Sequence, residues 1–109
     1  MADTLKTLAQ ANPLAATLTD VYTVPALTSA VLSTIMVANR SATATSFRIS
    51  VAIGGAANSD EQYIAYDVAI DGNDIQEITV GVSLAATDVV RVYATLATLS
   101  FNLFGVQIT

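Results

Sequence analysis

The sequence predicts an all-β fold, an antiparallel β-sandwich of about seven strands preceded by an extended N-terminal arm. Three observations carry that prediction. Short segments in which apolar and polar residues alternate recur along the chain, and a period of two marks strands with one buried face. Between them stand turn-forming clusters such as Gly54-Gly55 and Asp71-Gly72-Asn73-Asp74. Residues 1–17 show neither feature.

Taken in order, residues 1–17 carry Leu5, Leu8 and Leu14 as their large apolar side chains after Met1, and Asn12-Pro13 interrupts them. They read as an arm, set apart from a β-sandwich domain over residues 18–109. Thr19 to Val24 is rich in β-formers and stops at Pro25, which cannot donate to a ladder. Ser29 to Asn39 follows. Val31, Ile35 and Val37 share one parity there, Leu32 and Met36 the other, as in a central strand covered on both faces. Thr45 to Ile53 places Phe47, Ile49, Val51 and Ile53 on one side, and Arg48 with Ser46, Ser50 and Ala52 on the other.

Gln62 to Ile70 aligns Ile64, Tyr66, Val68 and Ile70; Ile75 to Val82 aligns Ile78, Val80 and Val82. Val89 to Leu96 sets Val90, Val92, Ala94 and Leu96 against Arg91, Tyr93 and Thr95. Leu99 to Ile108 alternates through Leu99, Phe101 and Leu103 until Gly105 breaks the pattern. Seven strands at this spacing default to two packed antiparallel sheets. The expected core is Val31, Ile35, Val37, Phe47, Ile49, Val51, Ile64, Val68, Val80, Val90, Val92 and Phe101.

Composition narrows the function. A chain of 109 residues fits one domain and is long enough to bury a core without disulfides. Cysteine and histidine are both absent. That removes thiolate chemistry, the commonest general base and the commonest metal ligand. Nine acids against four cations give a net charge of −5, which repels phosphate backbones and anionic lipid. Neither nucleic acid nor a membrane is therefore expected as a partner. The N-terminus does not read as a secretory signal, because Thr4, Thr7, Gln10 and Asn12 interrupt any apolar run. Charged residues are only 12% of the chain, so its surface is easily dehydrated and suits packing against other proteins.

No motif rises to a catalytic site or a cofactor site. Asp67, Asp71, Asn73 and Asp74 offer oxygen ligands, but the spacing of a calcium loop fails at Ile75 and Val82, and a turn through Gly72 explains the same residues. Asn39-Arg40-Ser41 matches a glycosylation acceptor, yet it sits where a strand ends in a turn. Asp60 and Glu61 are adjacent and point to opposite sides of an extended chain, so they cannot flank one bond. Tyr63 and Tyr66 have opposite parity and are not expected on one face, whereas Tyr63 and Tyr93 are placed to approach across strands. Arg48 and Arg91 lie on the polar parity of their strands. They are expected to pair with an acid of a neighbouring strand or of a partner chain, as interface residues.

One resemblance emerges from order and spacing. Tyr22-Thr23-Val24-Pro25, Ala38-Asn39-Arg40-Ser41, Phe47-Arg48-Ile49, Tyr63-Ile64-Ala65-Tyr66-Asp67, Leu84-Ala85-Ala86-Thr87-Asp88-Val89 and Leu99-Ser100-Phe101-Asn102 follow one another along the chain. Together they resemble small virion structural proteins of tailed bacteriophages, above all the capsid cement or decoration proteins. The resemblance implies a β-sandwich on the outside of a phage head, commonly a homotrimer, bound to the major capsid protein and without catalytic residues. It also implies location on the capsid surface of the virion, and in the host cytoplasm during assembly. Leu5, Leu8 and Leu14 are then the expected partner-binding residues of the arm, ordering on contact. A tail or adhesion module that binds a host-surface glycan is the alternative.

Overall fold

Eight strands make up the regular structure of residues 2–109, the part that the computed structural model describes. They are β1 (Asp3–Ala11), β2 (Thr19–Thr23), β3 (Ser29–Asn39), β4 (Thr45–Ala52), β5 (Tyr63–Ile70), β6 (Ile75–Leu84), β7 (Val89–Ala94) and β8 (Leu99–Ile108). They form two four-stranded antiparallel sheets, one ordered β1-β8-β3-β6 and the other β2-β7-β4-β5. The sheets pack face to face as a sandwich. The count is thus eight rather than seven, and the additional strand comes from the segment expected to be an arm.

β1 pairs with β8 from Asp3↔Ile108 to Ala11↔Phe101. Just beyond it, Ala2 and Thr109 exchange backbone hydrogen bonds of 2.9 and 3.0 Å. Asn12 continues the attachment, its Nδ2 donating to the carbonyls of Ala97 and Leu99 at 3.2 and 3.1 Å. The segment lacks alternation for a physical reason: it is an edge strand with most side chains in solvent, so sequence selection for a buried face is weak. Leu8 is the exception. It falls at a register shift between Thr7 and Ala9 and packs against the core.

Register shifts also explain which apolar residues are buried. In β3, Ser33 has no partner between Leu32↔Gly105 and Thr34↔Phe104. This bulge reverses the parity midway, so Leu32 and Ile35 both point inward at 0% exposure. Val31, expected in the core, is instead half-buried on the outer face. Opposite the bulge, a Cβ on Gly105 would lie 2.0 Å from the Val31 carbonyl oxygen, so only glycine fits that close approach. In β5, two further shifts face β4, between Phe47 and Ile49 and between Ile49 and Ser50. They turn Ile64 outward at 46% exposure, against the expectation that it belongs to the core.

The core proper contains Leu32, Ile35, Val37, Phe47, Ile49, Ile70, Val90, Val92, Leu99, Phe101 and Leu103, all 0–1% exposed. Phe47 and Phe101 meet across the sheets edge to face, centroids 6.0 Å apart. Val51, Val68 and Val80 pack at its margin.

Two buried polar side chains organise the ends. At one end, Asn39 is 4% exposed and fully engaged. Its Nδ2 donates to the carbonyls of Thr43 and Asp71, and its Oδ1 accepts from the Ser41 amide and the Thr98 hydroxyl. It therefore ties three connections together. At the other end, Asp88 accepts from the amides of Gly54 and Ala85, both at 2.9 Å.

Candidate functional site

The richest side-chain constellation lies on the outer face of the β2-β7-β4-β5 sheet. Arg48 stands on β4 opposite Tyr93 of β7. On its other side the register runs from Phe47↔Val68 to Ile49↔Ala65, so both Tyr66 and Asp67 of β5 face this one residue. Asp67 has a φ of 50°, the left-handed region in which a side chain is strained. The bulge delivers two groups to Arg48 at once. The guanidinium Nε donates to Asp67 Oδ1 at 2.6 Å, and Nη2 donates to Oδ2 at 3.4 Å. Its Cζ lies 4.2 Å from the Tyr66 ring centroid and 4.5 Å from that of Tyr93. The bond to Asp67 raises the Arg48 pKa above its ordinary value.

Tyr63 completes the cluster, edge-on to Tyr66 with centroids 4.9 Å apart. Its hydroxyl accepts from Asn58 Nδ2 at 3.1 Å. This corrects the parity argument that kept Tyr63 and Tyr66 on separate faces: strict alternation fails across the bulge. Tyr66 remains 57% exposed, so an aromatic surface is presented beside a fixed cation. Ser50, flanked in register by Tyr63 and Arg91, is fully buried, and its hydroxyl has no partner among the described residues.

Arg91 is organised in the same way but does less at the surface. Its Nε donates to Asp20 Oδ1 at 2.8 Å, and its Nη2 to the Gly55 carbonyl at 3.3 Å. Its side chain is only 12% exposed. Both arginines thus pair with acids of neighbouring strands. Arg48 has two of its five N–H donors engaged, which leaves donors available to an external acceptor.

The arm leucines are not brought together. Leu5 is 84% exposed on β1, Leu14 is 73% exposed in the β1–β2 connection, and Leu8 is used by the core. Leu5 does align through Val106 and Val31 across the outer face of its own sheet. The acidic turn is structural. Asp71 contributes its carbonyl to Asn39, Asn73 takes a φ of 55°, Asp74 accepts from the Ile75 amide, and Asp67 is held by Arg48. Among the described residues, no cluster of three or more His, Cys, Asp or Glu is placed to hold a metal ion.

A second feature is an open groove of about 650 Å³ at the β5/β6 flank, lined mainly by Val51, Ile53, Ile64, Leu84 and Glu61. The Ser59 hydroxyl donates to the Glu61 carboxylate and holds its pKa below the ordinary carboxylate range, helped by the Glu61 backbone amide.

No protein-family model matches the chain, and no curated protein is significantly similar to it in sequence.

Proposed function

We propose that this chain is a structural protein of a virion, a cement or decoration protein that binds the major capsid protein on the outside of a tailed-phage head. One observation carries the reading furthest. Arg48 is held in place by Asp67 and flanked by Tyr66 and Tyr93 on a sheet face, so an Arg–Tyr anchor exists before any partner arrives. Arginine and tyrosine are the residues that dominate protein–protein binding energy, and a rigid anchor loses little entropy on docking. Leu5, exposed on the outer face of the opposite sheet, and Leu14 add apolar area to a surface poor in charge. Self-association belongs to the same proposal, with three copies implied by the resemblance.

The test is sedimentation of the purified chain with undecorated phage heads, beside imaging of the native particle. The wild-type chain should co-sediment and saturate. Arg48→Ala should weaken binding by about tenfold or more, a loss of ~1.4 kcal/mol or more. Binding that is absent, or indifferent to Arg48, refutes the proposal.

The glycan-binding alternative draws on the same cluster, because Tyr63, Tyr66 and Tyr93 gather where a sugar ring has aromatic surface to stack on. Saturable binding to a glycan array, lost in Tyr66→Ala, would favour it over the capsid reading.

A further inference from the structure

The four sheet edges are not equally protected. β1 carries Asp3 and Lys6. β2 has only five residues, a register shift and the exposed Asp20. β5 is broken by two shifts and by the positive φ of Asp67. β6 is different. It runs for ten residues with Glu77 as its one charge, and it has no proline. Such an edge offers a row of unpaired amides and carbonyls to another strand.

From this edge we infer that β6 is a self-association strand, pairing antiparallel with β6 of a second copy about a two-fold axis. Three features select a second copy as the occupant. The first is self-complementarity. β6 bulges at Val80 and Gly81, where two residues face Ser33 alone. An axis through Gly81 sets Val80 opposite Val82 and Ile78 opposite Leu84 of the partner copy, so the inward-facing apolar residues of one copy meet those of the other. Glu77 then faces the partner's neutral Ala85, and no like charges oppose.

The second is apolar match. Ile75 is 58% exposed with nothing of its own chain to cover it. The pairing brings it over the partner copy's β6–β7 turn at Ala86 and Thr87. The half-buried Ile78, Val80 and Val82 become continuous with the same stripe of the second copy. The third is area. A flank of ten residues at ~3.3 Å each, one sandwich of about 20 Å thick, presents roughly 650 Å², near the ~800 Å² per partner of a stable interface.

The axis of such a pair is normal to the sheets, so both copies turn their Arg48 faces to the same side. Two anchors on one side make the pair bivalent toward a shell, a consequence that rests on the reading above, whereas the pairing itself does not. Pairing through β6 makes two copies the basic unit, in place of the three that the resemblance implies.

The test uses the full chain in solution with no phage head present, so it fails or succeeds independently of capsid binding. Light scattering across a dilution series should give twice the chain mass, falling to the single mass on dilution. Thr79→Lys combined with Gly81→Lys should raise the dissociation constant about tenfold or more, because like charges then cluster at the axis. Gly81 has open space around its Cβ position, so thermal melting of the variant should remain cooperative. Gly81→Cys should form a covalent dimer on mild oxidation, in a chain with no other cysteine, while Gln10→Cys on the opposite edge should not. A single mass at every concentration, a mass of three, or a pair indifferent to the lysines would overturn the inference.

Discussion

Leu32 and Ile35 differ in parity, yet the bulge at Ser33 turns both inward and leaves Val31 on the outer face. Substituting Leu32 and Val31 in turn by alanine tests that register directly. Leu32 is 0% exposed within the core cluster, so Leu32→Ala removes three buried carbons. The transfer term is ~2.4 kcal/mol at about 0.8 kcal/mol per carbon. A cavity term follows, because a strand flanked by two others relaxes little, and the total comes to about 3–4 kcal/mol. Val31 is half-buried on the outer face, and Val31→Ala should cost less than about 1 kcal/mol. Urea unfolding followed by circular dichroism separates the two. With a slope of ~1.5–2 kcal/mol per molar, Leu32→Ala should lower the midpoint by roughly 2 M and Val31→Ala by less than ~0.6 M. Equal losses, or a larger loss for Val31, would show that β3 does not reverse parity at Ser33 and that the β3–β8 register is wrong.

Other outcomes follow from single contacts. Gly105→Ala should cost more than the ~1–3 kcal/mol of ordinary overpacking, because the new Cβ meets the Val31 carbonyl at 2.0 Å; Gly81→Ala, in open space, serves as the neutral control in the same thermal melts. Asn39→Ala should destabilise by about 2–4 kcal/mol, since it leaves two carbonyls and two donors unsatisfied at one end of the sandwich; full stability in that variant would mean water replaces the amide without loss. Glu61 has a lowered folded-state pKa, so its small contribution to stability is complete above its unfolded-state value and disappears as pH falls through the folded one. Ser59→Ala should return the Glu61 carboxyl toward its ordinary range in an NMR titration, and an unchanged titration would remove the hydroxyl as the cause.

Most strands were legible because each buries one face, and burial writes a period of two into the sequence. Phe47, Ile49, Val90, Val92 and Phe101 were placed correctly on that basis. What escaped was local. A bulge shifts register by one residue without a compositional mark, so Val31 and Ile64 were assigned to the core and Leu32 was not. The same limit hid the contact between Tyr63 and Tyr66, the centre of the candidate site. β1 escaped for the opposite reason: an edge strand with few buried side chains has no pattern to read. Asp88 resembled any turn acid, and only its two amide partners reveal it as an organiser. The polar parity of Arg48 and Arg91 did predict that they would pair with acids across strands, as Asp67 and Asp20 now show.

The pairing of Asp3 with Ile108 also bears on how the chain is made. Of the eight strands described, the first to be synthesised takes its place only beside the eighth. Until β8 is synthesised, β3 also lacks one of its two neighbours, and Leu32 and Ile35 have no completed sheet behind them. Because so many contacts join distant parts of the chain, the sandwich closes late and slowly compared with a helical domain of equal length. A ribosome-stalled chain that stops before Leu99 should therefore remain protease-sensitive, and resistance should appear abruptly once β8 clears the exit tunnel.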